Sequence, residues 1–528
     1  MENNLKRIVS FFIIFFAIYC ALIIGLHWDA TSILTQGNDK IKYLFSFGKI
    51  NDPPFWYRYF PGVSYAVNSF LINLFPLNFK YEVFHILNLI ISFFGALGVT
   101  KISKELFNSK ASYVILLIII LHPIFFGHMA MNHKDMVVLT SMVWIVYYFL
   151  RYLKKQSSEE KRIKYLYKIG ILLSVGTGIR IVFIATLAPI IIFLLFDIFY
   201  FKKLTQKNFS KKKFFIDSIK VFLVFYLILM LFWTDAHSNI LKMPIEIFLQ
   251  SVGFLSSEIA PTAIAAGILN GEIYWAADSP KKYVAINFLL KTPEYILVMY
   301  LFSAFFFIKG RVFFKKKFTN FYYKILFILF VLIFYNFLFA FSPYPLYDGM
   351  RLFLFIIPFF IIIPGLGIYY IISNNYLIHS KICIIFIFPL FLFFLVKFIY
   401  LTPYHYVYLN IFNEKTTGDN IKFENDYLGV SLKELIKNLD YINKKSTKLT
   451  LCGVSPPNVK YYLRKNNLTK VRTVTLNEKP DFILMTNRVA WDGEKDLGSI
   501  KTCFQKYPGK DLSYVKRGNL VLSTVRKF

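Results

Sequence analysis

Long apolar runs recur along this chain at close to the length of a bilayer crossing, and nothing else in it constrains the fold as much. Hydrocarbon offers no water to backbone N–H and C=O groups. A run of roughly 20 apolar residues therefore has to become a helix or join a closed barrel. Eleven such runs read as helices: 8–27, 83–100, 112–127, 136–150, 166–179, 181–200, 216–233, 293–308, 324–341, 352–372 and 382–401. With 56% hydrophobic and 20% aromatic residues among 528, the chain has more apolar surface than a soluble core needs. Leu5–Gly25 imitates a signal peptide, but no small-residue cleavage site follows it and further apolar runs do, so it reads as a first span. The expected fold is an all-α polytopic membrane protein with about 11 transmembrane helices.

The net charge of +31 comes from 61 Lys and Arg against 30 Asp and Glu. In a soluble protein it would point to nucleic acid. Here the cations crowd alternate loops, "RYLKKQSSEEKRIKYLYK", "KKLTQKNFSKKK" and "KGRVFFKKK". The positive-inside rule makes those loops cytoplasmic, facing anionic membrane lipids rather than nucleic acid. Lys6 and Arg7 put the N-terminus on that side. Eleven spans then leave the C-terminus outside, together with loops 28–80 and 234–292. The chain divides into a membrane domain, 1–401, and an extracytoplasmic tail, 402–528. No internal repeat is evident, which argues against a transporter built from repeated halves.

In the tail, "SLKELIKNLDYINKK" has helical spacing, with Ser431 and Glu434 placed for a capping box. "KLTLCGV", "VRTVTL" and "DFILMTN" read as short strands, and "PPNVKYYLRKNN" as a helix starting on proline. A small α/β domain follows, most simply a scaffold or lid without chemistry of its own. Cys452 and Cys503 lie there, where an oxidising compartment permits a disulfide; their spacing leaves the pairing open. Cys20 and Cys383 fall in spans and pack.

Ionisable groups at span ends are costly and mark candidate sites. On the expected outer side are Asp29 in "GLHWDATS", Arg58 in "DPPFWYRYFPG", and His128, Asn132, His133, Lys134 and Asp135 in "GHMAMNHKD". Arg180 ends "GTGIR", and "SPYPLYDGMR" brings Asp348 and Arg351. Arginine forks and lysine suit a phosphate; a carboxylate suits a base that takes a proton from an attacking hydroxyl. The combination suggests transfer from a lipid phosphate. Each residue also has a structural alternative: Asp29 and Asp135 as helix caps, the arginines as headgroup anchors, the histidines as interfacial hydrogen-bonders. No spacing resembles a zinc site.

An acidic residue after the first span and another after the third resemble the GT-C superfamily of membrane glycosyltransferases. "NHKD" is similar to the Asn-Pro-Lys-Asp motif of bacterial members of the dolichyl-phosphate-mannose–protein mannosyltransferase group. "GTGIR", "PLYDGMRLFLFIIP", "TPYHYVYLN" and "FENDYLGVSLKE" resemble later blocks in the same order. The resemblance implies a GT-C-like fold in a bacterial inner membrane. It also implies a polyprenyl-phosphate-linked sugar as donor and transfer with inversion to an acceptor lipid, glycan or protein. It makes Asp29 the catalytic base and Asp135 a second acidic residue that orients the acceptor or holds a divalent metal, Mg or Mn. It places Arg58 where relatives have a basic residue that contacts the lipid phosphate. Apart from the resemblance, Arg180 and Arg351, at outer span ends near the acidic pair, and Lys134 beside Asp135 are the expected further donor-phosphate ligands, and His128, Asn132, His133 and Asp348 are expected to bind the acceptor or shape the site. The chain departs from the pattern in three places. Ala30 stands where many relatives have glutamate, His133 replaces the motif's proline, and one proline, not a pair, follows Arg58. These departures leave metal dependence open. A transporter or flippase of a lipid-linked saccharide would need the same cations but no base, and a non-enzymatic envelope protein would need neither.

Overall fold

The structure is a computed structural model and describes residues 2–49, 58–76, 79–251, 265–341, 344–413, 422–443, 446–490 and 500–528. The chain enters through α1 (Glu2–Ile23), and the first long loop folds into α2 (Ala30–Phe45) and α3 (Val63–Asn73). Then come α4 (Lys80–Leu106), α5 (Ser109–Leu121) and α6 (Pro123–Met129). α5 starts where the Asn108 side chain accepts from Ala111 N at 2.8 Å, a cap for an otherwise unpaired N–H. His122 is extended before Pro123, which cannot continue the hydrogen-bond ladder, and the axis turns by 70° into α6.

Next, α7 (His133–Lys155) and α8 (Glu159–Ile179) form an antiparallel hairpin. α7 also packs along α4. A Cβ on Gly98 would lie 2.6 Å from Val143 Cγ2, so this contact requires glycine. Trp144 Nε1 seals the interface by donating to Phe94 O at 2.9 Å. Most of α7 and of the span Arg351–Ser373 is enclosed by other helices, whereas Lys211–Phe232 and Ile378–Tyr400 present most of their surface outward. The enclosed pair carries Lys134, Asp135 and Arg351, which only a protein interior can satisfy.

The protein is a multi-span membrane protein; helix covers most of each of the eleven expected spans, but not all of them are single spanning helices. Among the described residues six helices are long and apolar enough to cross a membrane alone, and eight if each of two bent pairs is one span. The other expected spans, 8–27, 166–179 and 181–200, coincide with helices that are shorter or less apolar. In 181–200 the chain breaks into Phe183–Thr186, Ala188–Phe196 and a π-helical turn at Asp197–Phe201.

A hairpin of β1 (Ala266–Leu269) and β2 (Glu272–Trp275) lies in the loop before the eighth expected span. The tail is a five-stranded mixed sheet of β3 (Thr447–Cys452), β4 (Val471–Thr473), β5 (Phe482–Thr486), β6 (Asp511–Arg517) and β7 (Leu520–Lys527), in the order β4-β3-β5-β7-β6. β3 runs parallel to β4 and β5, and β7 antiparallel to β5 and β6. The expected strand, proline-started helix (Pro456–Lys465), strand, strand order is present; β6 and β7 add a hairpin that sequence reading left out. Cys452 and Cys503 are joined, with Cα atoms 5.8 Å apart, while Cys20 and Cys383 are free and buried.

The expected capping box at Ser431 does not form. The helix there is only Leu432–Lys437, and Ser431 Oγ donates to Asp426 Oδ2 at 2.5 Å. Asp426 takes the cap by accepting from Val430 N and Ser431 N, and Glu434 turns away to Tyr404 and Arg517. A buried carboxylate with two oxygens satisfies more orphan N–H groups than one hydroxyl can.

The tail packs against the junction of α1 and α2. Leu26 N donates to Tyr462 Oη at 2.7 Å and Asn458 Nδ2 to His27 O at 2.9 Å. The dock sets the tail against the loop that carries Asp29.

Candidate active site

The spacing along α7 and α8 decides which side chains can meet. α7 is 23 residues long and so rises about 34 Å. It separates Lys134 and Asp135 at one end from Lys154 and Lys155 at the other, and α8 returns the chain to the first end at Arg180. Asp29, Lys134, Asp135, Arg180, Asp348 and Arg351 therefore all converge at the end where the tail docks.

Asp29 is the residue before α2, but its side chain makes no cap hydrogen bond. Its Oδ2 accepts from Lys134 Nζ at 3.1 Å, and that ammonium also lies 4.7 Å from the centre of the Phe60 ring. Burial pushes the Asp29 carboxyl up, yet Lys134, Arg351 and His27 more than offset this and hold it below the usual carboxylate range. It is an ionised carboxylate at neutral pH.

Asp135 is not the cap of α7 either. Asn132 fills that position: its Oδ1 accepts from Asp135 N at 3.2 Å and its Nδ2 donates to Asp135 Oδ2 at 2.8 Å. The other oxygen, Oδ1, faces Arg180 Nη2 at 2.7 Å. Asp348 and Gly349 both have left-handed backbone, φ +57° and +63°. An added Cβ on Gly349 would sit 2.4 Å from Lys291 Nζ. The turn points the Asp348 carboxylate inward, where its two oxygens are shared: Oδ2 lies 3.2 Å from Arg351 Nη2 and Oδ1 3.0 Å from Arg488 Nη2. Arg351 Nη2 also donates to Tyr347 Oη at 3.2 Å, and its Nε has no partner among the described residues. Beside Arg488, Glu424 accepts from Val489 N; burial pushes its carboxyl up to about 7, with Arg488 and Lys291 opposing and Asp348 reinforcing.

These groups border a cavity of about 410 Å³. Its described lining holds four cations, Lys134, Arg180, Arg351 and Arg488, against two carboxylates, Asp29 and Asp348, with Trp28, Tyr59, Phe60, Tyr344 and Tyr347 as aromatic wall. A second cavity of about 540 Å³ adjoins it and shares Arg180, Val182, Tyr344 and Arg351. Its remaining wall is almost wholly apolar, including Phe183, Phe248, Phe334, Phe337 and Phe355. Asp135 lines this groove, not the polar cavity, so the carboxylate that accompanies Asp29 is Asp348.

The other expected residues lie elsewhere. Arg58 lines neither cavity; its carbonyl accepts from Trp233 Nε1 at 2.9 Å. His128 is buried between Asn132 and Tyr427 Oη, the latter at 3.1 Å, which ties it to the tail. His133 hydrogen-bonds Asn88 Oδ1 and Ser64 Oγ. Both histidines and Asn132 support the wall from behind. Among the described residues no group of three or more His, Cys, Asp or Glu gathers to hold a metal, and Asp29 and Asp135 each already face a cation. That donor set does not fit a divalent ion, which wants several oxygens with little competing charge.

Trp28 and Arg488 are site residues that sequence reading missed. Trp28 stands beside the first candidate acid, which was the available signal. Arg488 follows a buried strand in a strongly basic tail and carries none.

Residues 61–233 match the family described as dolichyl-phosphate-mannose-protein mannosyltransferase. Among solved structures, apo ArnT from Cupriavidus metallidurans is similar over 99% of this chain and 97% of its own, at 12% identity and TM-score 0.52. The same ArnT bound to undecaprenyl phosphate aligns at 12% identity over 99% and 98%, TM-score 0.49. The oligosaccharyltransferase AglB from Archaeoglobus fulgidus, in complex with an inhibitory peptide and a dolichol-phosphate, aligns at 11% over 90% and 69%, TM-score 0.47. No curated protein sequence matches. The family match covers residues 61–233, about a third of the chain, and over nearly its whole length the chain shares the fold of ArnT.

Proposed function

We propose that the protein moves a sugar from a polyprenyl-phosphate donor to an acceptor hydroxyl, with inversion, at the membrane face that carries the tail. One observation carries this reading: an apolar groove and a cationic cavity meet at two arginines. A molecule that fills both is an amphiphile with a long apolar chain and an anionic head. The family description names such a donor, a dolichyl-phosphate-linked mannose.

In the reaction, Asp29 accepts the proton of the acceptor hydroxyl as its oxygen attacks the anomeric carbon. The bond from that carbon to the phosphate oxygen breaks, and its electron pair leaves with the phosphate. Arg180 and Arg351 hold the growing charge by charge-assisted hydrogen bonds. Lys134 keeps Asp29 ionised and oriented. The basic ends of α7 and of the loops at 202–213 and 309–317 lie away from the site, which by the positive-inside rule supports an extracytoplasmic site.

The test is sugar transfer from a radiolabelled polyprenyl-phosphate donor by purified protein in lipid nanodiscs. Transfer that requires Asp29 supports an enzyme. Passage of intact donor across the bilayer without transfer, unaffected by Asp29→Asn, would favour a flippase and overturn this reading.

A further inference from the structure

Among the described residues, one side chain of the tail lines the polar cavity of the membrane site. Arg488 leaves the end of β5 and lines the polar cavity. Its Nη1 donates to Tyr427 O at 2.9 Å, its Nη2 to Asp348 Oδ1 at 3.0 Å, and its guanidinium lies 4.8 Å from the centre of the Trp28 ring. Trp28 is the neighbour of Asp29. Asp348 is buried, and its other oxygen lies 3.2 Å from Arg351 Nη2 as an ion pair, with no hydrogen bond of its own among the described residues. One tail residue thus touches both arms of the site.

Arg488 is itself held in place. Its carbonyl accepts from Cys503 N at 2.8 Å, and Cys503 is joined to Cys452 at the end of β3. A Cβ on Gly453, next to that disulfide, would meet Arg488 Cβ at 2.8 Å, so the backbone just after β3 is pressed against the arginine.

We propose that Arg488 is a positioning residue through which the tail sets the phosphate-binding geometry of Arg351. The physical reason is competition for Asp348. A buried carboxylate takes all the cation it can reach. While Arg488 occupies one oxygen, Arg351 is held by the other, leaving its Nε free for a phosphate oxygen. Without Arg488, Asp348 draws Arg351 into a two-oxygen pair and away from the cavity. The tail is then part of the donor site rather than a lid over it. This inference rests on the reading of Arg351 as a donor-phosphate ligand.

The experiment is a double-mutant cycle on the full chain in nanodiscs, with undecaprenyl phosphate as the probe. Arg488→Ala should weaken its binding roughly tenfold, and donor KM should rise more than kcat falls. Asp348→Asn added to Arg488→Ala should restore most of the affinity, because the competing charge is gone; asparagine also tolerates the left-handed backbone. A merely structural arginine would show no such rescue. Arg488→Lys should give a smaller loss reversed by the same second change, and it carries the cycle if the alanine variant loses the tail's thermal transition. Unchanged affinity in Arg488→Ala, or a double variant that binds no better than the single, overturns the proposal. Unchanged affinity in Arg351→Ala would instead overturn the phosphate reading beneath it.

Discussion

The two ends of the α7–α8 hairpin both gather charge, and they use it differently. At the far end Glu105 accepts from Arg151 at 3.1 Å and Lys154 at 2.9 Å. Asp217, which is buried, accepts from Tyr152 Oη at 2.8 Å and lies 3.4 Å from Arg162. At the site end Asp135 pairs with Arg180 and Asp29 with Lys134. Paired charges do not separate the two ends. Nor does a guanidinium Nε without a partner among the described residues, since Arg151 and Arg162 each have one, as does Arg351. The difference is that the site-end cations border two adjoining cavities, which include none of the far-end groups. Charge beside empty volume can act on a ligand, while charge packed against its partner only holds helices together.

The strongest way to break this comparison is to neutralise one carboxylate at each end. Asp29→Asn should cut sugar transfer by about 10²–10⁴-fold, the usual contribution of a general base, with the thermal transition intact. Glu105→Gln should leave transfer near its original rate and lower the unfolding temperature instead.

Arginine replacement sharpens the contrast in binding. Arg351→Ala should weaken undecaprenyl phosphate binding by about 1.5–3 kcal/mol, the range for a hydrogen bond to a charged group. Arg162→Ala should leave that affinity unchanged and destabilise the fold, because it leaves the buried Asp217 without its cation. Equal affinity loss in both would mean that lipid binding senses overall stability rather than the cavity.

Capping residues give a smaller and matched pair. Asn108→Ala and Asn132→Ala each remove an N-cap, which should cost about 1 kcal/mol of stability. Only Asn132 also donates to Asp135, so only its loss should lower transfer beyond what destabilisation explains. Comparable thermal shifts with unequal activities, measured on the same preparations, would support the assignment of ends. The least change is expected on removing divalent ions: transfer should continue in the presence of a chelator, since each candidate carboxylate already faces a cation.

How much of this was legible in the sequence follows the same contrast. A lysine or aspartate at the end of an apolar run stands out, because hydrocarbon makes it expensive. For that reason Asp29, Lys134, Arg180, Asp348 and Arg351 were identifiable before any geometry. What periodicity could not supply was depth and direction. Arg58 has the right composition around it, yet it lines neither cavity. Asp135 was expected beside Asp29 and instead turns to Arg180 and the groove, because Asn132 fixes the first turn of α7. Broken helices at 181–200 and the bend before Pro123 blur span counting, which assumes straight rods. Arg488 was invisible for a different reason: in a solvated tail rich in lysine and arginine one more cation carries no penalty. Its role comes only from the long-range dock of β5 against the turn at Asp348.

The central claim is that the two adjoining cavities hold one amphiphile, with its phosphate at the arginines they share. A cryo-electron microscopy structure of the chain in nanodiscs with undecaprenyl phosphate tests it most directly. Phosphate density between Arg180 and Arg351, with the isoprenoid chain along Phe183, Phe334 and Phe355, is the predicted result. A phosphate ordered away from both arginines, or a chain lying outside the groove, would contradict it.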